Sequence, residues 1–407
     1  MPERIGTVVV GGGQAGLSVS RELIQAGVDH AVLERGRTGA TWRGRWDSFC
    51  LVTPNWSVRL PGHPYDGDDP DGFMPRDELV AYLERYAAAV GAPVREGVEV
   101  SSLRALPDGG FELECSAGEI VATNVVLCTG AYQRPHRPAG APTLPRDLLQ
   151  IDVEDYRNPD ELPPGPVLVV GSGQSGCQIA EELHEAGRGV CLACSRAGWS
   201  QRRIADRDVV WWLEAAGDFE DRVEELPNPG ARLLANLQNS GGRGGHDLHY
   251  RTLQRMGVTL LGRFLGAEGT RARFAPDLGD SVAFGDQRNA QLMDGFRKAA
   301  ARLGLPDPEI PPPGPIDTDA AEELDLSDFG AVVFAGGFRP AYDSWVHVPN
   351  AFDELGFPVH RDGASIAVPG LFFVGVHFLR KRKSSLLIGV GEDAALVAQQ
   401  VAARQAS

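Results

Sequence analysis

The chain has 407 residues, 43% of them hydrophobic and 23% charged, a balance that suits a folded protein of about two to three domains. Its formal net charge of −16 at pH 7 argues against a nucleic-acid or anionic-membrane partner, and no apolar run of about 18 residues marks a transmembrane helix. No amino-terminal stretch reads as a secretory signal, so a cytoplasmic protein is expected.

The first predicted strand, Val8-Val9-Val10, runs into Gly11-Gly12-Gly13-Gln14-Ala15-Gly16, and a helical pattern follows over 17–26. This is a G-x-G-x-x-G turn, whose glycines let the backbone turn tightly and approach a pyrophosphate on the helix N-terminus. A second strand, 30–34, ends on Glu34, 23 residues past Gly11. An acid at that spacing takes ribose hydroxyls and repels a 2′-phosphate, so the site calls for FAD or NAD.

An aromatic-rich loop (41–75) and a helix (about 76–90) come next. Short strands follow over 94–100 and 111–115, with Asp108-Gly109-Gly110 as a hairpin signal, and a buried strand ends at Cys128-Thr129-Gly130. A proline-rich joint near 160–167 then leads to a second strand and turn, Val167 to Val170 and Gly171-Ser172-Gly173-Gln174-Ser175-Gly176. The strand after it reaches Ser195 at 24 residues past Gly171, then Arg196, and carries no acid. A hydroxyl and a guanidinium suit a 2′-phosphate, with Arg202 and Arg203 adding positive charge, so this site reads as NADPH. NADH with Arg196 as a plain surface residue is the alternative.

Cys191 and Cys194 have the spacing of a redox dithiol, but they fall within one strand, where residues three apart face opposite ways. His246 and His249 are the one close histidine pair and read as a loop or helix start, so no metal site is expected. Helical patterns are expected within 206–250. Pro311-Pro312-Pro313-Gly314-Pro315 reads as a stiff linker. Buried strands at 331–335 and 371–374, the latter running into Gly375, most simply complete the first sheet, before a closing helix over 390–404. The expected fold is α/β, with two Rossmann-like dinucleotide-binding domains. An NADPH domain (161–315) is inserted into an FAD domain (1–160 and 316–407).

The two turns, Gly39-Ala40-Thr41-Trp42 with Trp46-Asp47-Ser48, Cys128-Thr129-Gly130, Tyr156-Arg157-Asn158-Pro159, Ala335-Gly336-Gly337-Phe338-Arg339-Pro340 and Gly389-Val390-Gly391-Glu392 together resemble the class B flavoprotein monooxygenases, in their compact bacterial branch. The resemblance implies FAD on Gly11, Gly13, Gln14, Ala15, Gly16, Glu34 and Arg35, with Thr41, Trp42, Trp46 and Asp47 covering the pyrophosphate and ribityl region and Gly130 and Gly375 in the same site. It implies NADPH on Gly171, Gly173, Gln174, Ser175, Gly176, Ser195, Arg196 and Arg203. Gly389 and Gly391 would set a helix N-terminus against the flavin, where positive potential favours the reduced, anionic ring; the basic run 380–383 either adds to it or is a solvated loop. Asn55, His377 and Arg382 are the candidate catalytic residues, and Trp56, Trp211 and Trp212 either line the pocket or pack the core.

The implied activity inserts one oxygen atom of O2 into a small molecule, by N- or S-oxygenation or Baeyer–Villiger chemistry, through a C4a-(hydro)peroxyflavin. Two positions depart from the family pattern: Asp152 replaces a histidine, and Val52 stands where eukaryote-like members carry an asparagine. They keep open an NADPH-dependent flavin oxidoreductase or oxidase without oxygen insertion, or a non-catalytic redox sensor. The partners expected are a small-molecule substrate and O2, with a homodimer possible. A disulfide reductase is disfavoured, because Thr41 to Trp46 hold no cysteine pair.

Overall fold

A computed structural model describes residues 1–234 and 236–406. Two sheets carry the chain. The first, ten-stranded, is built around β1 (Glu3–Val10), which pairs in parallel with β2 (His30–Glu34) on one side and β3 (Gly118–Leu127) on the other. Between β1 and β2 runs α1 (Gln14–Gln25), which buries Leu17, Val19 and Leu23 against the sheet. The amino-terminal half of β3 pairs antiparallel with Phe111–Cys115, which in turn pairs with Val100–Ala105 across the expected hairpin at 108–110; the end of β3 pairs in parallel with Leu371–Phe373. The helix at Arg76–Val90 matches the expected one.

The second sheet is five-stranded and all parallel. Its order is β4 (Leu149–Asp152), β8 (Ala331–Phe334), β5 (Val167–Val170), β6 (Val190–Ala193) and β7 (Thr259–Leu261), with α2 (Gln174–Glu185) crossing from β5 to β6. Every residue of β5, β6 and β8 is buried, as a parallel strand covered on both faces requires.

This corrects one expectation. Ala331–Phe334 does not complete the first sheet. It lies in the second, between β4 and β5, and β4 itself comes from before residue 160. Of the two late strands, only Leu371–Phe373, here β9, joins the first sheet. A continuous apolar run records burial on two faces but not which sheet provides them. The chain crosses between the units at an antiparallel ribbon, Arg134–Pro135 against Phe338–Arg339.

The 206–250 segment holds less helix than expected: Val209–Ala216, then short 3-10 turns up to a helix at Tyr250–Met256. A 26-residue helix, Leu278–Leu303, packs beside Val209–Ala216 with Trp212 and Phe296 between them. The closing helix, Val390–Gln405 (α3), lies against α1 through Val397, Ala398 and Val401. Cys191 and Cys194 enter the cores on opposite faces of the second sheet, and all six cysteines are free. Among the described residues no helix is long and apolar enough to cross a membrane, and no cluster of metal-ligating side chains occurs.

Candidate functional site

Both glycine turns have the same build. Gly11 and Gly171 sit at φ +111° and +110°, where a side chain would strike the carbonyl of Cys128 or Ala335. A Cβ on Gly16 or Gly176 would lie 1.8 or 1.9 Å from the carbonyl oxygen of Gly11 or Gly171, so helix and strand touch only because both are glycine. Above Gly13 the space is open. Gly13 and Gly173 are the N-caps of α1 and α2; neither helix has a side-chain cap or an acid in its first turn. Free amide donors and the helix dipole therefore point outward at both turns, which suits a pyrophosphate.

In the first unit Glu34, 8% exposed, accepts the Gly12 amide at 2.7 Å and the Gly36 amide at 2.8 Å. A carboxylate offers about four lone-pair sites, so capacity for two ribose hydroxyls remains. Around the turn, the Gln14 side chain accepts from Trp42 Nε1 at 2.9 Å and donates to Ser385 at 3.2 Å. Gly375 presses on Ala15, and the Gly130 carbonyl accepts from Gln133 and Tyr342. Arg35 and Thr41 are exposed at the rim. Asn55, buried, donates to the Asp69 carbonyl at 2.9 Å, but its own side-chain oxygen has no partner. Such an acceptor costs about 1–3 kcal/mol, so a ligand N–H fits there.

Sheet register aligns the second unit with the first. Val10 pairs with Leu33 and Val170 with Ala193, so the counterpart of Glu34 is Cys194, which stands 23 residues past Gly171 as Glu34 stands 23 past Gly11; the expected Ser195 is one residue further on. Cys194 is fully buried and burial pushes its thiol up. No acid occupies the ribose position. Ser172, the counterpart of Gly12, accepts the Ser195 amide on its hydroxyl at 2.8 Å and lies 2.5 Å from the Tyr250 hydroxyl, which donates to the Ser195 carbonyl. Gln238 donates to the Ser172 carbonyl at 2.7 Å, and Gln174 to Leu237 at 3.1 Å. Ser195 and Arg196 thus leave the strand on a fixed backbone. Among the described residues, the exposed Arg196 and Arg203 side chains have no hydrogen-bond or ion-pair partner.

Several candidates are engaged otherwise than expected. Arg202 is 2% exposed and paired with Asp208, lies over the Phe73 ring and donates to the Val52 carbonyl at 2.7 Å, so it staples the units together. Trp46 lies in the core of the second unit, while Asp47 spends its carboxylate on Arg76 and Asn158. Tyr156 donates to Glu182 and Asp152 is held by Arg137, both within the second unit.

The basic run is neutralised. Lys381 and Lys383 share Glu220 and Glu392; Arg380 meets Asp362 and Asp393, and Arg382 meets Asp221. A loop with five carboxylates around it adds no free positive potential to α3, whose first turn, beyond Gly389 and Gly391, already holds Glu392 and Asp393. Arg382 therefore braces 218–221 against 380–383. Trp212 is core, donating to the Ile204 carbonyl, and Trp56 and Trp211 pack partly buried on the same cluster.

His377 donates through Nε2 to the Arg232 carbonyl at 3.0 Å, and burial pulls its pKa down to about 4, which leaves it neutral at pH 7. Its ring neighbours are Tyr132 and Phe357. Tyr132 has half its surface open, and burial pushes its phenol up. Arg232 pairs with Asp353 and lies over the Phe357 ring. Tyr132 was findable from its place just past a parallel strand's carboxyl end. Tyr250, Gln238 and Arg232 leave no signal in the sequence.

Two βαβ units, each with an open glycine turn, fit a flavin oxidoreductase of the kind that works with FAD and NADPH. The chain belongs to the pyridine nucleotide-disulphide oxidoreductase family, whose pattern matches residues 8–235, more than half of its length. It is 29% identical over 401 residues to an uncharacterized CzcO-like oxidoreductase of Geobacillus kaustophilus, covering 97% of both chains. It is 32% identical over 183 residues to the indole-3-pyruvate monooxygenase YUCCA1 of rice, covering 44% of this chain and 45% of that one. Its fold is similar to that of a flavin-containing monooxygenase from Stenotrophomonas maltophilia, with a TM-score of 0.68 over 99% of both chains at 20% identity.

Proposed function

We propose that the chain is an FAD- and NADPH-dependent monooxygenase that places one oxygen atom of O2 on a small organic molecule. The observation that carries the cofactor assignment is the contrast at one register position. Glu34, held by two amides, suits the hydroxyls of an unphosphorylated ribose. At the matching position the second unit has a buried Cys194 followed by a free Ser195-Arg196.

In this reading the heads of α1 and α2 hold the two pyrophosphates, Glu34 the FAD ribose, and Ser195, Arg196 and Arg203 the 2′-phosphate of NADPH. Asn55 accepts a flavin N–H on its orphan oxygen. A flavin held there would supply the hydride acceptor for NADPH and the oxygen chemistry, so the protein itself need supply no nucleophile. Its part is to position and to exclude water. Neutral His377 packs on Tyr132 and is tied to the Arg232 carbonyl, with Arg232 held by Asp353.

Oxygen chemistry is favoured over the disulfide chemistry in the family's name. The cysteines form no pair, and burial pushes the thiols of Cys128, Cys177, Cys191 and Cys194 up, away from the reactive thiolate. The similarity to proteins named as monooxygenases supports the same choice. One residue favours a second reading, an NADPH oxidase: Val52 offers only its carbonyl, already taken by Arg202, where relatives carry a side-chain amide.

Oxygen-18 separates the two. Flavin-loaded protein turned over with NADPH under labelled O2, with a thioether, a tertiary amine and a cyclic ketone as probes, is expected to label at least one product. Release of one hydrogen peroxide per NADPH with every probe supports the oxidase; no NADPH oxidation sinks both.

A further inference from the structure

The other arginines drawn largely out of solvent have partners. Arg202 is paired with Asp208, Arg251 with Asp286 and Arg232 with Asp353, while Arg188 donates to the carbonyls of Pro159, Leu162, Pro163 and Gly165. Arg45 does not follow them. Its backbone is fixed, the amide donating to Trp42 at 3.0 Å and the carbonyl accepting from Arg76 at 3.1 Å. Its Nε is buried without a hydrogen-bond partner, and among the described residues no carboxylate lies within ion-pair distance. Tyr132 and Glu154 are its ionisable neighbours, and burial pulls the guanidinium's pKa down. Arg45 is half-buried, and a partly desolvated cation with no ion-pair partner carries a desolvation cost of the kind natural proteins retain at binding sites.

Its position says what kind of site. Arg45 precedes Trp46, which enters the second unit's core, and Asp47, whose amide donates to the Arg157 carbonyl; it stands where the units join. Tyr132, beside it, follows the Gly130 turn, touches the His377 ring at 5.3 Å and has Asn236 near its phenol. The next residue, Leu237, is bonded to Gln174 at the head of α2. A chain of neighbours thus runs from Arg45 through Tyr132 and Asn236 to the head of α2.

We propose that Arg45, with the Tyr132 hydroxyl beside it, is an oxyanion anchor where the two units join. A guanidinium fork binds phosphate or carboxylate oxygens bidentately, and a phenol adds one donor. Two sources carry that chemistry, the pyrophosphate of the pyridine nucleotide and a carboxylate on the substrate. The inference rests on the reading that both turns hold nucleotides.

The test uses flavin-loaded Arg45→Met and Arg45→Lys, read by FAD content, by thermal midpoint, and by flavin difference spectra during titration with NADP+, inorganic pyrophosphate and benzoate. Both variants are expected to keep FAD, and Arg45→Met to melt no lower than wild type, since it removes an unpaired, partly desolvated charge. Arg45→Met is expected to weaken at least one probe by about tenfold or more, with Arg45→Lys recovering most of it. Loss confined to NADP+ and pyrophosphate identifies the nucleotide; loss confined to benzoate identifies a substrate carboxylate. Binding of all probes within about twofold of wild type, or no response of wild type to any, overturns the proposal. So does a lowered midpoint or lost FAD in both variants, which marks Arg45 as structural. A wild-type protein that holds no flavin overturns the cofactor reading instead.

Discussion

The Ser172 hydroxyl accepts the Ser195 amide at 2.8 Å, in the part of the second unit where, in the first, the Glu34 carboxylate accepts the Gly12 amide at 2.7 Å. The polar side chain has moved from the strand end to the turn. A Cβ at Gly12 would come within 2.9 Å of Glu34, so the two units use mutually exclusive solutions. In the second, Ser172 and Tyr250 hold both backbone groups of Ser195 and leave its side chain and Arg196 for a ligand. Losing one such hydrogen bond is worth about 0.5–1.5 kcal/mol. Tyr250→Phe and Ser172→Gly are expected to raise KM for NADPH by about three- to tenfold and leave that for NADH nearly unchanged. Equal effects on both nucleotides would mean these residues only hold the fold.

In the proposed reading the phosphate preference falls to Arg196 itself. A charge-assisted contact contributes about 1.5–3 kcal/mol, so Arg196→Ser should lower the NADPH-to-NADH ratio of kcat/KM by about 10- to 100-fold. Steady-state kinetics with both nucleotides check it; an unchanged ratio assigns the 2′-phosphate elsewhere.

Glu34 is expected to govern flavin retention. Glu34→Gln keeps the shape but weakens the acceptors that hold Gly12, Gly36 and a ribose. The FAD-to-protein ratio after gel filtration should fall, with the Kd for added FAD up by about tenfold or more. Full retention of FAD would refute the assignment of the first turn.

Arg202 and Asp208 form a buried pair that also caps Val209–Ala216, since Asp208 accepts the Val210 amide at 2.8 Å. Asp208→Ala strands a buried guanidinium and should cost about 3–5 kcal/mol in urea unfolding. Arg202→Met together with Asp208→Ala should cost less than the two single changes summed. Strict additivity would show that the pair is not coupled.

Stability should fall on mild acidification. His377 and His249 are buried, each with its pKa pulled down to about 4, while the unfolded chain titrates near the ordinary 6.5. Their contribution is full above pH 6.5 and is lost as pH falls toward 4, because the unfolded state then binds protons that the folded state refuses. The thermal midpoint should drop across that window, and His377→Asn should flatten part of the drop. A flat profile from pH 7 to 5 would contradict the burial of both rings.

Much of this was legible in the chain, because the signals are local. A glycine turn between an apolar strand and a helix states its own geometry. Glu34 follows it at a fixed spacing, and the absence of an acid before Arg196 is readable by counting; the 23-residue spacing and the register both put the match at Cys194, one residue before Ser195. Sheet membership was not legible. Ala331–Phe334 and Leu371–Phe373 are both apolar runs, and only long-range pairing sends one to each sheet.

Charge was the least legible feature. Arg202, Arg382 and Arg45 look alike in sequence. Folding pairs the first with Asp208 and the second with Asp221, and leaves the third half-buried, with no carboxylate at ion-pair distance among the described residues. The sequence by itself determined two dinucleotide turns and which of them tolerates a phosphate, because those depend on residues within one βαβ unit. The tertiary structure alone decided which positive charges stay available to a ligand, because a charge is cancelled by whatever the rest of the chain brings beside it.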